Sequence, residues 1–204
     1  EGHARRALTL PPEQARLSGP WGALGEALQE QGRYDEAAEA FQNAIALNET
    51  EAGGANDLSN WLNLLAIVRG HQGLYVEGEE LFHRAIAVAE ANGADEARRV
   101  AAANLAWNLH QQRRHVEAEA ALRRTIVDIR AAEGENAVNY GASVTNLAGE
   151  LQAQGRHSEA LVEFRRALPV FERALGRHHP QTAWTINAMA RSVAEAESME
   201  AAEL

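Results

Sequence analysis

Small and apolar residues recur along this chain at three- and four-residue steps, in blocks separated by short polar stretches. One set of blocks holds Trp21, Leu24, Gly25 and Leu28; Leu62, Leu65 and Ala66; Ala102, Leu105, Ala106 and Leu109; and Val144, Leu147, Ala148 and Leu151. A second set holds Ala37, Phe41, Ala44 and Ile45; Gly78, Phe82, Ala85 and Ile86; Ala118, Leu122, Thr125 and Ile126; and Ala160, Phe164, Ala167 and Leu168. Both sets have the period of an amphipathic helix. They predict pairs of helices, a helix A followed by a helix B.

The stretch between A and B repeats. Gln31-Gly32-Arg33-Tyr34-Asp35-Glu36-Ala37 returns at Gln72–Gly78, Gln112–Ala118 and Gln154–Ala160, in steps of 41, 40 and 42 residues. Gly32, Gly73 and Gly155 fall where a helix closes in the left-handed conformation that glycine adopts without strain. Arg113 occupies that place in the third copy, where it should cost roughly 1 kcal/mol. Glu36, Glu77, Glu117 and Glu159 come next, in the first turn of helix B, where the helix dipole favours negative charge. Gly25, Ala66, Ala106 and Ala148 match Ala37, Gly78, Ala118 and Ala160 twelve residues later, so small residues are expected where the two backbones cross.

A period of this length means a solenoid, and a solenoid is most often a binding surface. Trp21, Leu24, Gly25, Leu28, Gly32, Ala37, Phe41 and Ala44 match the tetratricopeptide-repeat pattern position by position. The other copies match with substitutions, notably Arg113 for the turn glycine and Thr125 for the late alanine. The period exceeds the family's usual length of about 34 residues. That length, Asn104-Leu105-Ala106, Asn146-Leu147-Ala148, and Leu175-Gly176-Arg177-His178-His179-Pro180 resemble the long-helix repeats of kinesin light chains and many bacterial signalling proteins. The resemblance implies an all-α, right-handed superhelical solenoid of antiparallel helix pairs, helices A lining the concave face and helices B the convex face. It also places His179 at a structural position. The expected organisation is 1–18 the tail of a preceding repeat and linker, 19–54, 55–94, 95–135 and 136–178 four repeats, and 179–204 a terminal helix, half repeat or cap, with a tail. Arg5-Arg6-Ala7-Leu8 copies Arg165-Arg166-Ala167-Leu168, so residues 3–9 read as the end of an earlier helix B. Gln181 to about Glu197 reads as a further helix A, with fraying expected beyond it.

Composition narrows the function classes. Ala and Leu dominate the apolar side, and Glu and Arg the polar side, as in helical proteins. The net charge of −10 argues against nucleic acid as a partner, because phosphates require a basic face. All 19 basic residues are Arg, which fits codon bias better than selection for bidentate contacts. There is no cysteine, which excludes disulfides, thiolate metal sites and a cysteine nucleophile. No apolar run has the length of a membrane span and no leader is visible, so no membrane partner and a cytoplasmic location are expected.

Candidate chemistry is sparse. No HExxH, nucleophile elbow or phosphate loop occurs, and Ser143, in Gly141-Ala142-Ser143-Val144, lacks the following glycine of an elbow. His178 and His179 adjoin each other without further ligands at suitable spacing, and His110 and His115 bracket a turn. The expectation is therefore no enzyme, no metal and no cofactor.

The repeat register instead turns Asn63, Asn104, Trp107, His110, Thr145, Asn146, Gln152, Trp184, Asn187 and Arg191 towards the concave face. A ladder of Asn amides can grip an extended peptide backbone, since each offers donors and an acceptor. Alternatively each Asn bonds a neighbouring helix. Trp107 and Trp184 are either partner anchors or packing residues. The leading expectation is a protein- or peptide-binding module within a larger signalling or scaffold protein. The alternative is a sensor that responds to a short signalling peptide or small molecule. Weak self-association through apolar end helices is also expected.

Overall fold

The computed structural model describes residues 18–50 and 55–202. Within them the chain is all-α: α1 (Ser18–Glu30), α2 (Tyr34–Thr50), α3 (Ala55–His71), α4 (Tyr75–Ala91), α5 (Asp95–Gln111), α6 (His115–Glu133), α7 (Val138–Ala153), α8 (His157–Ala174) and α9 (Pro180–Ala202). The odd-numbered helices from α1 to α7 are helices A and their even-numbered successors are helices B. The final helix A, α9, runs past Glu197 to Ala202. The earlier helix B expected at residues 3–9 lies outside the described residues. Among the described residues no helix is long and apolar enough to cross a membrane.

One backbone device closes each pair. Gly32, Gly73, Arg113 and Gly155 have φ of 72°, 78°, 60° and 74°. The turn residue and its successor each donate back into the helix just ended, as in Gly32 N to Gln29 O at 2.9 Å and Arg33 N to Leu28 O at 3.0 Å. The same two bonds recur at Gly73 and Leu74, at Arg113 and Arg114, and at Gly155 and Arg156. Two carbonyls left over by the ending helix are satisfied this way without any side chain. Gly93, with φ 65°, closes α4 by the same bonds.

The acidic residue after each turn does more than complement a dipole. Arg33 holds Glu36, Arg114 holds Glu117 and Arg156 holds Glu159, each through two guanidinium–carboxylate bonds. Leu74 stands at this place in the second turn, and Glu77 there meets Arg69 at 3.3 Å. These clips are solvated and contribute little to stability individually.

Residue contacts divide the chain after Asn108 into two compact units. In the first, α1 packs on α2, α2 on α3 and α3 on α4, and α1 also touches α3. Phe41, Ala44, Leu62, Val68 and Ala85 are fully enclosed there. A Cβ at Gly25 would lie 2.7 Å from Phe41 Cε1, and one at Gly22 would lie 2.2 Å from Trp61 Cη2. A Cβ at Gly78 would lie 3.1 Å from the Ala66 carbonyl. The small-residue crossing read from the sequence is thus present, with the aromatic ring seated directly on Gly25.

In the second unit α6 packs on α7, α7 on α8, α8 on α9, and α7 touches α9. Tyr140, Val144, Leu151, Phe164 and Phe171 form its interior. Burial pushes the Tyr140 phenol up, partly opposed by Arg166, whose guanidinium lies 5.1 Å from the ring centroid. Helix α8 continues through Pro169. Gly176 (φ 87°) opens the last connection, and His179 Nδ1 accepts a bond from Gln181 N at 3.2 Å. His179 therefore caps α9, with Pro180 at the first helical position where no N–H is missed.

Glu119 is a buried carboxylate on α6. It accepts from Arg123 Nη2 at 2.7 Å, Arg156 Nη1 at 2.7 Å and Gln154 Nε2 at 2.8 Å. Burial pushes its pKa up, but the bonds from Gln154 and Arg123 and the charges of Arg156 and Arg123 outweigh this and hold it below the ordinary 4.5.

Three outcomes follow from this packing. Gly25→Leu overpacks the crossing against Phe41 and should lower the urea-derived stability by about 1–3 kcal/mol. Arg113→Gly relieves a left-handed non-glycine residue and should raise stability by about 1 kcal/mol, read as a higher urea midpoint at unchanged slope. A carboxylate whose folded pKa is depressed stabilises above its unfolded value, and that contribution is lost as the pH falls through the folded value. The stability gap between the natural chain and Glu119→Gln should therefore be widest at neutral pH and narrow below pH 4.5, measured by urea melts across pH.

Candidate functional site

In the first unit, the face formed by helices A carries Asn63 and Asn104. Asn63 is almost fully buried and Asn104 half-buried. Asn104 Nδ2 donates to Asn63 Oδ1 at 2.9 Å, from α5 to α3. One Asn thus bonds the neighbouring helix. The bond leaves donor capacity on Asn63 and acceptor capacity on Asn104, the two functions a peptide unit needs. A cleft of about 470 Å³ adjoins this pair, lined by Ser59, Asn60, Asn63, Asp95, Glu96 and Val100 among others. Val100 is exposed on its rim.

Trp107 serves two purposes at once. Its ring covers Gly70, where a Cβ would lie 2.8 Å from Trp107 Cζ3, yet the residue is 40% exposed. It also leans on His71 with centroids 6.2 Å apart, and His71 stacks on Tyr34 at 4.8 Å. Helices α2, α3 and α4 frame a second cleft, of about 370 Å³. Ile45, Leu65 and Leu81 line its floor, and Glu49–Arg84 and Arg69–Glu77 ion pairs line its rim.

In the second unit the expected residues separate into two groups. Asn146, Trp184, Asn187 and Arg191 are exposed. Trp184 packs edge-on to Phe164 at 6.4 Å, with the rest of its ring open to solvent. Thr145 is buried and its hydroxyl has no partner. Gln152 ties α7 to α9, donating to Ala188 O at 3.0 Å and Ser192 Oγ at 2.6 Å.

His110 behaves differently from the rest of the set. Its Nδ1 lies 2.8 Å from Glu150 Oε1, and His115 Nδ1 lies 2.9 Å from Glu150 Oε2. The two histidines that bracket the third turn therefore meet on one carboxylate. Sequence reasoning did not single out Glu150, because as an isolated residue it reads as an ordinary polar position of helix A. Aligning the repeats supplies a signal. Ala27, Val68, Asn108 and Glu150 share one register, so a charge stands where the earlier copies hold uncharged residues.

Profiles of the tetratricopeptide repeat match residues 57–126 and 140–204, and a further one matches residues 19–51. No curated protein matches the chain by sequence. Among solved structures, BtubC (BKLC) from P. vanneervenii is similar at 21% identity over 99% of this chain and 82% of that one, with a TM-score of 0.81. A putative kinesin light chain of Podosopora anserina, with nearly identical TPR-like repeats, is similar at 19% identity over 90% of this chain and 88% of that one, with a TM-score of 0.74. A Rap protein complexed with Competence and Sporulation Factor aligns at 17% identity and a TM-score of 0.69; the match covers 91% of this chain but 51% of that one, about half its length. Likeness at these identities is likeness of fold. The chain belongs to the tetratricopeptide-repeat family, and its fold is an all-α solenoid of helix pairs with repeats of the kinesin-light-chain type.

Proposed function

We propose that this chain is a non-catalytic interaction module that holds an extended segment of a partner protein on the concave face made by its helices A. The observation that carries this reading is the Asn63–Asn104 pair beside the 470 Å³ cleft. The pair offers a donor and an acceptor to a peptide backbone, and the cleft offers room for a side chain. Asp95 and Glu96 on the cleft wall, with the net charge of −10, favour a segment carrying a basic residue. Val100 and Trp107 add apolar surface that remains exposed. Asn146, Trp184, Asn187 and Arg191 offer solvent-facing polar and aromatic groups of the same kind in the second unit. Signalling or scaffold work by a larger parent protein is part of this proposal.

A second reading is a sensor of a short signalling peptide or small molecule. Two observations favour it: the cleft volume lies in the range of small-ligand sites, and a similar fold occurs in a Rap protein complexed with Competence and Sporulation Factor. The two readings share a face and differ in the length of the ligand.

A random-peptide display selection on the purified chain tests the proposal. The expected result is a consensus sequence with a basic position. Asn104→Ala combined with Asn146→Ala should weaken binding of that peptide by about tenfold or more, some 1.4 kcal/mol, at unchanged helicity. Glu80→Ala combined with Arg84→Ala, in the other cleft, should leave it unchanged. Undiminished binding by the Asn variant, or loss in the Glu80 and Arg84 variant, would move the site off this face. Truncating the selected peptide to three or four residues with affinity retained would favour the sensor reading.

A further inference from the structure

His110, His115 and Glu150 form the one grouping of metal-ligating side chains found among the described residues. One ligand atom from each lies within 4.8 Å of the others. We propose that they form a binding site for a divalent transition-metal ion, with Zn²⁺ the best fit, that ties the third helix pair to the fourth.

The geometry starts from the carboxylate. Glu150 is buried, with 7% of its side chain exposed, and both its oxygens face imidazole nitrogens. A buried carboxylate requires compensation by charge or by hydrogen bonds. Two neutral imidazoles supply two N–H donors; a divalent cation supplies far more. Two imidazole nitrogens and one carboxylate oxygen are three ligands of the type Zn²⁺, Co²⁺, Ni²⁺ and Cu²⁺ accept. Metal bonds of about 2.0–2.2 Å in a tetrahedral site require ligand atoms roughly 3.3 Å apart. The N···O distances of 2.8 and 2.9 Å run to different oxygens of Glu150, so for one oxygen to serve, one contact must open slightly and the other imidazole nitrogen must swing towards that same oxygen. The adjustment falls on side chains at helix ends, since His110 lies in the last turn of α5 and His115 begins α6.

On binding, the proton that each Nδ1 presents to Glu150 leaves through solvent, Nε2 carries the ring's remaining proton, and the freed Nδ1 lone pair goes to the metal. Glu150 gives an oxygen lone pair. The fourth position falls to water. His110 is 45% exposed, which gives an ion a path to the site.

The comparison among repeats argues that this is more than a satisfied turn. The place of His115 holds Tyr34, Tyr75 and His157 in the other copies, and that of His110 holds Gln29, Gly70 and Gln152. The fourth copy also has a histidine at the first position, yet His157 Nδ1 is buried without a partner. Only the third copy supplies the second histidine, and only α7 supplies a carboxylate at its register. The three ligand types coincide at a single junction.

The test uses the untagged chain freed of metal with EDTA. Co²⁺ is titrated in, followed by its visible ligand-field bands, and then displaced by Zn²⁺. One equivalent of Co²⁺ should give the bands of a four- or five-coordinate site, and Zn²⁺ should bleach them. His110→Ala, His115→Ala and Glu150→Gln should each weaken binding by at least about 100-fold, beyond what an outer-shell partner is worth. His178→Ala should leave Co²⁺ binding unchanged. If the ligand variants fail to fold, the natural chain still decides. Long-range ¹⁵N spectra of its histidines should show Nδ1 of His110 and His115 losing its proton to Nε2 when Zn²⁺ is added. The proposal is overturned by absence of the bands, by their persistence in the His110→Ala, His115→Ala double variant, or by unmoved Nδ1 signals in the presence of Zn²⁺.

Discussion

A left-handed residue at the end of a helix is the constraint on which this molecule depends. Without it α1, α3, α5 and α7 would run on, and no helix B could fold back. The conformation costs glycine little and other residues about 1–2 kcal/mol. In return it lets two backbone N–H groups bond two carbonyls of the ending helix. Every other contact within a pair follows from that reversal: Phe41 on Gly25, the Arg–Glu clips, and the enclosed faces of α2 and α8. The third turn keeps the geometry with Arg113 at φ 60°, which shows how strongly the surrounding helices impose it.

The helices and their turns were legible because both signals are local. An amphipathic helix writes its buried face at three- and four-residue steps, and a left-handed turn writes itself as glycine. The Gly25 crossing was legible too, since Phe41 follows at a fixed offset within the same pair. What lay beyond reach depends on register between helices of different pairs. Asn104 and Asn63 are 41 residues apart, and whether their amides meet each other or a ligand is decided by the side-to-side setting of α3 and α5. His110 and Glu150 are 40 residues apart and belong to no short motif. Gln152 looked like an inner-face contact and proves to be a tie to α9. Thr145 looked likewise available and is enclosed.

A pattern runs through these cases. Positions that set the pair are nearly invariant among the four copies: the Leu–small step of helix A, the turn, and the small residue and large apolar residue of helix B. Positions that set one pair against the next differ from copy to copy. The place of Glu150 holds Ala27, Val68 and Asn108 elsewhere, and the place of His115 holds Tyr34, Tyr75 and His157. Polar chemistry in this chain therefore concentrates at junctions between pairs. Glu119 and Arg156 form one such junction and His110, His115 and Glu150 another.

The turns have an evolutionary consequence. Their bonds join main-chain atoms to main-chain atoms, so they place no demand on the identity of the residues that carry them beyond one tolerant conformation. A copied segment of this length arrives with its own reversal already encoded and needs no matching partner elsewhere in the gene. Such a chain can gain a pair by tandem duplication, and each new copy can then accumulate substitutions at its borders without undoing the bend that made it.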